Sequence, residues 1–346
     1  MPSTIRDVAR LAGVSVATVS AVINGKGRVS SERSERVRKA IEKLDYHPDH
    51  TARSLRTKRT LTVGVIVPQF ASPFFAESLR GVEDVTRSEG YSVLVCNSSA
   101  DPIREQRHLS TLLSGRVDGI LLASADPHFA YHWLARRHLP LVLFDRVPAG
   151  FRGTAVTTAN VEAATEATNH LIGLGHKGIA IITGPADISS ANERLEGFRK
   201  AMGEAGLPIV EEYFKCGDFE AQGGYRCALE LLQLPNSPTA IFSCNYEMTM
   251  GLERALSELH VRCPEQVSVL AYDDLVGGLD GFSWATMFSP KLTAVAQPSY
   301  ELGRIAAQLL IEKMLAPEKN PEETQSRIIR LKAELRMRES TAAPHA

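Results

Sequence analysis

From Leu61 onward the chain repeats one pattern, a short, nearly continuous apolar run followed by a stretch whose apolar residues fall at helical spacing. LTVGVIVP (61–68) opens it, a helix is predicted over 73–90, and YSVLVCN follows. Runs that are apolar on successive residues fit strands buried on both faces, as in parallel sheets covered by helices. Helices predicted over 101–116 and 129–138 alternate with VDGILLAS and LPLVLFD. A second series sets helices over 160–174, 190–205, 220–232 and 247–259 against KGIAIITG, EEYFKCGDF, PTAIFSCN and QVSVLAYDD. Two such series predict two doubly wound parallel α/β lobes. Leu292 to Ala296 and Tyr300 to Leu315 add a strand–helix pair, and SRIIRLKAELRMRES adds short strands.

The first sixty residues read differently. In TIRDVARLAGVSVATVSAVIN (4–24), Thr4 caps a helix with Asp7 in the capping-box position, and Ile5, Val8, Ala9 and Ala12 make one apolar face. Gly13 ends that helix, and Ser15 caps a second whose apolar face is Val19, Val22 and Ile23. Helix, short glycine turn and helix form a helix-turn-helix, whose second helix enters the DNA major groove. Ser31 caps a third helix to about Leu44, closing a small all-α head. PDHTARSLRTKR (48–59) is too short to hold a helix alone in water, so it reads as a hinge or linker ordered by something else.

Charge divides at the same place. Residues 1–60 hold 13 Lys and Arg against 6 Asp and Glu, a balance of +7, and the other 26 basic and 34 acidic residues balance at −8. A basic head on an acidic body is the footprint of nucleic-acid binding. The five cysteines form no C-x-x-C pair and read as free thiols of a reducing compartment. No apolar run spans a membrane, and no apolar segment marks a secretory signal, so the expected location is cytoplasmic.

Doubly wound sheets bind ligands beyond the carboxyl ends of their strands, and with two lobes the cleft between them is the default site. The segments that count are therefore Pro68 to Phe75, Asp145-Arg146, Gly184 to Arg194, Asp218-Phe219, Asn245-Tyr246 and Tyr272-Asp273-Asp274. A charged Arg with carboxylates around a cleft suits the paired hydroxyls of a sugar. Other motifs carry less. GLGHKG (173–178) follows a helix and precedes a strand, the reverse of a dinucleotide loop. His128, His132 and His138 lack a Cys or acidic partner at metal-ligand spacing, so no metal is expected.

The chain resembles the lac repressor / galactose repressor family of transcription regulators. The likeness runs from Thr4 to Ser340 and is carried by TIRDVARLAGVSVATVS, PDHTARSL, RVDGILL, LIGLGHKGIAIITGP, RLEGF, GDFEAQGGY, AIFSCN, LAYDD and LTAVAQP. The resemblance implies a helix-turn-helix head on two lobes of periplasmic-binding-protein type, with no enzymatic activity and no cofactor. It implies a homodimer on a palindromic double-stranded DNA operator, with a sugar or sugar derivative in the cleft modulating DNA affinity. The alternative is a solute-binding or sugar-metabolising protein with the same body.

Carried over by position, Val16, Ala17 and Ala21 match the base-reading residues, and being small and apolar they offer thymine-methyl contact rather than bidentate hydrogen bonds. Thr18, Ser20 and Asn24, with Ser15, suit phosphate or base contact, and Thr4, Arg28, Ser30 and Arg33 suit phosphate contact. Ala52 and Leu55 lie in the hinge, where Leu55 matches the leucine the family wedges into the minor groove. Arg194 and Asp273 match the family's effector-binding pair, and Asp145 and Asn245 match sugar-contacting positions. Phe74, Phe75 and Phe219 supply walls, with Ser190 beside them. Ile188 and Ser190 replace the Arg and Thr that hold a purine in the purine repressor, which argues against a purine ligand. Tyr246-Glu247 after Asn245 departs from the usual Asn-Asp pair and leaves a bulkier or differently charged ligand open. The expected division is 1–46 head, 47–60 hinge, 61–159 with 291–320 N-terminal lobe, 160–290 with 321–340 C-terminal lobe, and 341–346 disordered tail.

Overall fold

The computed structural model describes residues 3–23, 29–46, 59–128, 131, 134, 139–274, 276–277, 282–315 and 326–345. The chain falls into two compact units, Met1–Thr60 and Leu61–Ala346. The hinge segment and the helix expected over 129–138 lie largely or wholly outside the described residues.

The head contains α1 (Ile5–Ala12), α2 (Val16–Ile23) and α3 (Ser31–Lys43). The capping box at Thr4 forms as its residue types require: Thr4 N donates to Asp7 Oδ2 at 3.1 Å, and Asp7 N to Thr4 Oγ1 at 3.4 Å. Gly13 ends α1 in the left-handed region at φ 63°. Arg36, from α3, donates to the Ala12 and Gly13 carbonyls at 2.5–2.9 Å, satisfying the helix end with a cation. Val8, Ala9, Ala12, Val19, Val37, Ala40 and Tyr46 close the small core. The expected cap of the third helix moves by one residue, since Ser30 is the N-cap and Ser31 already lies in the helix.

The body has two six-stranded sheets. The first contains β1 (Thr62–Val67), β2 (Ser92–Asn97), β3 (Gly119–Leu122), β4 (Leu141–Phe144), β5 (Thr154–Thr158) and β13 (Arg327–Leu331), in the order β13-β5-β4-β3-β1-β2 and all parallel. The second contains β6 (Ile179–Thr183), β7 (Phe214–Cys216), β8 (Ala240–Ser243), β9 (Ser268–Tyr272), β12 (Thr293–Ala296) and β14 (Glu334–Arg336), in the order β14-β12-β9-β8-β6-β7. Among the described residues of this sheet, β14 alone runs antiparallel. A two-stranded ribbon, β10 (Val276–Gly277) and β11 (Phe282–Ser283), completes the strands. The central strands are buried along nearly their whole length, the reason their sequences read as unbroken apolar runs.

Between the strands lie α4 (Pro73–Ser88), α5 (Pro102–Ser114), α6 (Asn160–Gly173), α7 (Ser189–Glu204), α8 (Ala221–Leu232), α9 (Tyr246–Glu258) and α10 (Ser299–Leu315). Helices α4 and α10 meet backbone to backbone: a Cβ on Gly303 would collide with the Ser78 carbonyl, and one on Gly81 with that of Tyr300.

Two expected boundaries are corrected. Segment 291–320 does not belong wholly to the first lobe, because β12 pairs with β9 in the second sheet. Conversely, β13 joins the first sheet beside β5, so 321–340 is divided too. The chain thus passes between lobes three times, after β5, after β12 and between β13 and β14. The tail is also corrected, for Thr341 and Ala342 are held by hydrogen bonds. His176 Nε2 lies 2.8 Å from the Ala342 carbonyl, His170 Nε2 lies 2.9 Å from Thr341 Oγ1, and Ala342 N donates to Ser268 Oγ at 3.1 Å. The buried histidine ring needs a partner, and the tail backbone provides one.

Candidate functional site

The carboxyl ends of the strands meet at a cleft of about 500 Å³ between the lobes. Two of its acids sit in backbone conformations that L-residues seldom take: Asp145, after β4, has φ 63°, and Asp273, after β9, has φ 76°. At each position the strand ends and the chain turns sharply, leaving a buried carboxylate at the cleft.

Arg194, on α7, is 3 % exposed and fixed from three sides. Its Nε donates to Asn160 Oδ1 at 3.0 Å, an Nη donates to the Cys244 carbonyl at 2.5 Å, and its Cζ lies 3.9 Å from the centroid of the Tyr272 ring. Asn160 Oδ1 also accepts from Tyr272 Oη at 3.0 Å, and Asn160 Nδ2 donates to Glu193 Oε2 at 2.9 Å. Burial works against the Arg194 charge, but Tyr272, Asp273 and Asp145 hold the guanidinium protonated. Asp273 accepts from Gln297 Nε2 and from Tyr246 N, and Gln297 Oε1 accepts from Thr158 Oγ1 at 2.7 Å. Thr158 and Gln297 lie at two of the passages between lobes, so an acid of the cleft is tied directly to the hinge strands.

On the other side of the cleft, Arg146 Nε is buried 3.5 Å from Asp145 Oδ2 without a hydrogen bond, and its Cζ lies 5.4 Å from the Phe219 ring centroid. Burial pushes the Asp145 and Asp273 carboxyls up, an effect that Arg146 and Arg194 oppose at Asp145 and Arg194 at Asp273 without cancelling it. Phe74 and Phe75 meet edge to face with centroids 5.1 Å apart. Asn245 caps α9 through Oδ1, which accepts from Met248 N at 2.9 Å, and its Nδ2 donates to Glu247 Oε2 at 2.6 Å and to the Phe219 carbonyl at 3.3 Å.

All eight expected effector residues, Phe74, Phe75, Asp145, Ser190, Arg194, Phe219, Asn245 and Asp273, line this one cleft. Gln297 lines it as well and lies outside every expected segment, whereas Ser72 falls within Pro68 to Phe75 and Glu247 within the departure after Asn245. The strand-end rule would have found Gln297 had Thr293–Ala296 been assigned to the second sheet. Such a set can accept from and donate to several adjacent hydroxyls while apolar rings cover the carbon faces.

In the head, Ser15 Oγ accepts from Thr18 N at 3.2 Å and lies 2.9 Å from Thr18 Oγ1, so these hydroxyls build the start of α2. Val16 and Ala17 are exposed at that start, Thr18, Ser20 and Ala21 are half-buried, and Thr4, Ser30 and Arg33 are exposed. Asn24, Arg28, Ala52 and Leu55 lie outside the described residues. No helix among the described residues is long and apolar enough to cross a membrane.

Comparison with known proteins places these features in context. A model described as bacterial regulatory proteins, lacI family, matches residues 4–49, and one described as periplasmic binding proteins and sugar binding domain of the LacI family matches 60–337. The chain is 38 % identical over 317 residues to the ribose operon repressor of Escherichia coli K12, covering 91 % of this chain and 94 % of that one. The lac repressor dimer bound to operator and an anti-inducer is similar over 99 % of this chain and 100 % of its own, at 26 % identity and a TM-score of 0.83. A regulator from Enterococcus faecium with bound ribose is similar over 82 % of this chain and 100 % of its own, at 30 % identity and a TM-score of 0.71.

Proposed function

Because the chain belongs to the LacI family of bacterial regulatory proteins and is a DNA-binding transcriptional regulator, we propose that it is a sugar-responsive repressor whose effector is a small monosaccharide of the ribose class. The observation that carries this reading is the cleft itself, where Asp145 with Arg146 and Asp273 with Arg194 face one space beside Asn245 and Gln297, walled by Phe74, Phe75 and Phe219. The buried Nε of Arg146, without a hydrogen bond, supports an occupant that supplies an acceptor. The ribose named for the Enterococcus relative and for the E. coli repressor supports the class.

In this reading the protein acts in the cytoplasm as a homodimer, as the lac repressor structure is described, and two heads read the halves of a palindromic operator. Val16, Ala17 and Ala21 lie against bases; Ser15, Thr18, Ser20 and Asn24 contact bases or phosphates; Thr4, Arg28, Ser30 and Arg33 set the register on the backbone. Ala52 and Leu55 pack into the minor groove at the centre, where an apolar wedge bends the site. Sugar shifts the balance between two lobe arrangements, and operator and sugar affinities change by the same factor.

The test is a mobility shift of the full-length protein on the promoter of its own transcription unit, with and without D-ribose and other pentoses and hexoses. A specific shift altered by one of these sugars is expected. A protein that shifts no specific fragment at low salt, or whose shift answers to no sugar, overturns the reading.

A further inference from the structure

Arg146 lies 3.5 Å from Asp145, and Tyr272, Asp273 and Asp145 together hold Arg194 protonated on the buried floor. Of the other acids that line the cleft, Asp187, Asp218 and Glu220 are exposed, and Glu247 is half-buried. It projects into the cleft from the first turn of α9, where Asn245 Nδ2 donates to its Oε2 at 2.6 Å. Ser72, from the loop between β1 and α4 in the other lobe, lines the same cleft and favours the charged form of this carboxyl group. The charged and titratable groups facing it are Asp273 from the end of β9, Arg146 from the end of β4 and Tyr246 on its own helix. The Asn245 amide hydrogens are divided between Glu247 and the Phe219 carbonyl, so an entering ligand meets the carboxylate and the amide together.

We infer that Glu247 is a specificity-determining residue of the cleft: its carboxylate, held by Asn245, accepts a hydroxyl of a neutral sugar and repels a phosphorylated or carboxylated one. The inference rests on the sugar reading above and goes beyond it by naming the charge class of the ligand and the residue that enforces it. An anionic sugar would bring its charge against the Glu247 carboxylate in a desolvated space, where like charges interact strongly.

Proton linkage gives the assignment a signature. Burial, with Asp273 adding to it, pushes Glu247 up to about 7 in the free cleft. A sugar hydroxyl donating to the carboxylate favours the charged form, so binding releases a proton. Affinity for the neutral sugar is then full above pH 7 and falls as the pH drops, by about tenfold between pH 8 and pH 6.

The experiment is calorimetric titration of the full-length protein and its Glu247→Gln variant with D-ribose, other neutral pentoses and hexoses, and the corresponding sugar phosphates, at pH 6 and pH 8. The wild type is expected to bind a neutral sugar with that pH slope and to bind its phosphate at least about tenfold more weakly. Glu247→Gln is expected to flatten the slope and narrow the discrimination by about tenfold, because the amide carries no charge. An unchanged slope and unchanged discrimination in the variant overturn the inference and leave the sugar reading standing. A wild-type affinity that does not vary between pH 6 and pH 8 overturns it too, whether or not the variant folds. A wild type that binds no neutral sugar, or prefers the phosphate, overturns both.

Discussion

Arg194 Nε donates to Asn160 Oδ1 at 3.0 Å, and Asn160 is the first residue of the helix that begins where the chain first leaves the N-terminal lobe. The cation at the floor of the cleft is therefore aimed by a residue at the first passage between the lobes. Asn160→Ala leaves Arg194 Nε, Tyr272 Oη and a Glu193 oxygen short of a partner in a buried site. The expected cost is about 1–3 kcal/mol of body stability, read by urea denaturation, with sugar affinity lowered by tenfold or so. A variant as stable as the wild type with unchanged sugar binding removes Asn160 from the positioning role.

The approach of α4 and α10 gives a second expectation. A methyl group at Gly303 meets the Ser78 backbone, which cannot move aside as a side chain could. Gly303→Ala should destabilise the body by about 1–3 kcal/mol or more, seen as a lowered melting temperature. A melting temperature equal to that of the wild type would show that the two helices part without cost.

The histidines under the tail predict a pH effect. Burial holds His176 and His170 below the usual histidine value. A histidine depressed in the folded state contributes stability that is full above its unfolded value and is lost as the pH falls toward the folded one. Thermal melts should therefore drop from pH 7.5 to pH 5.5, and His176→Gln should flatten that drop. An equally steep drop in the variant would assign it elsewhere.

Leu55 carries a prediction for the DNA. Leu55→Ala should weaken operator binding by tenfold or more while leaving the salt dependence of binding nearly unchanged, since a wedge neutralises no phosphate. Fluorescence anisotropy with operator duplex at two salt concentrations measures both. Unchanged affinity would argue against the wedge.

The sequence made the strand-end acids legible because Asp145 and Asp273 each follow an apolar run, and the rule placing ligands beyond strand ends needs nothing more. Arg194 rests on the resemblance and on lying in a loop-to-helix segment. Asn160 was invisible, because an asparagine at a helix start reads as a cap until Tyr272 and Arg194 are brought to it by contacts remote in sequence. The division of β12 and β13 between sheets was hidden for a related reason: an apolar run announces a strand but not its partner. The tail after Ser340 is short and half alanine, with no apolar pattern of its own, and the histidines beneath it show what holds its first two residues.

The last strands have a consequence for how the molecule is made. β13 is the edge of one sheet and β14 the edge of the other, and only Lys332 and Ala333 separate them. A chain emerging from the ribosome completes its head first. It holds an open first sheet, lacking both β13 and the packing of α10 on α4, until the second lobe has been synthesised. Both sheets are then finished within about ten residues of each other, so a premature stop between β12 and β13 yields a finished head attached to two unfinished sheets.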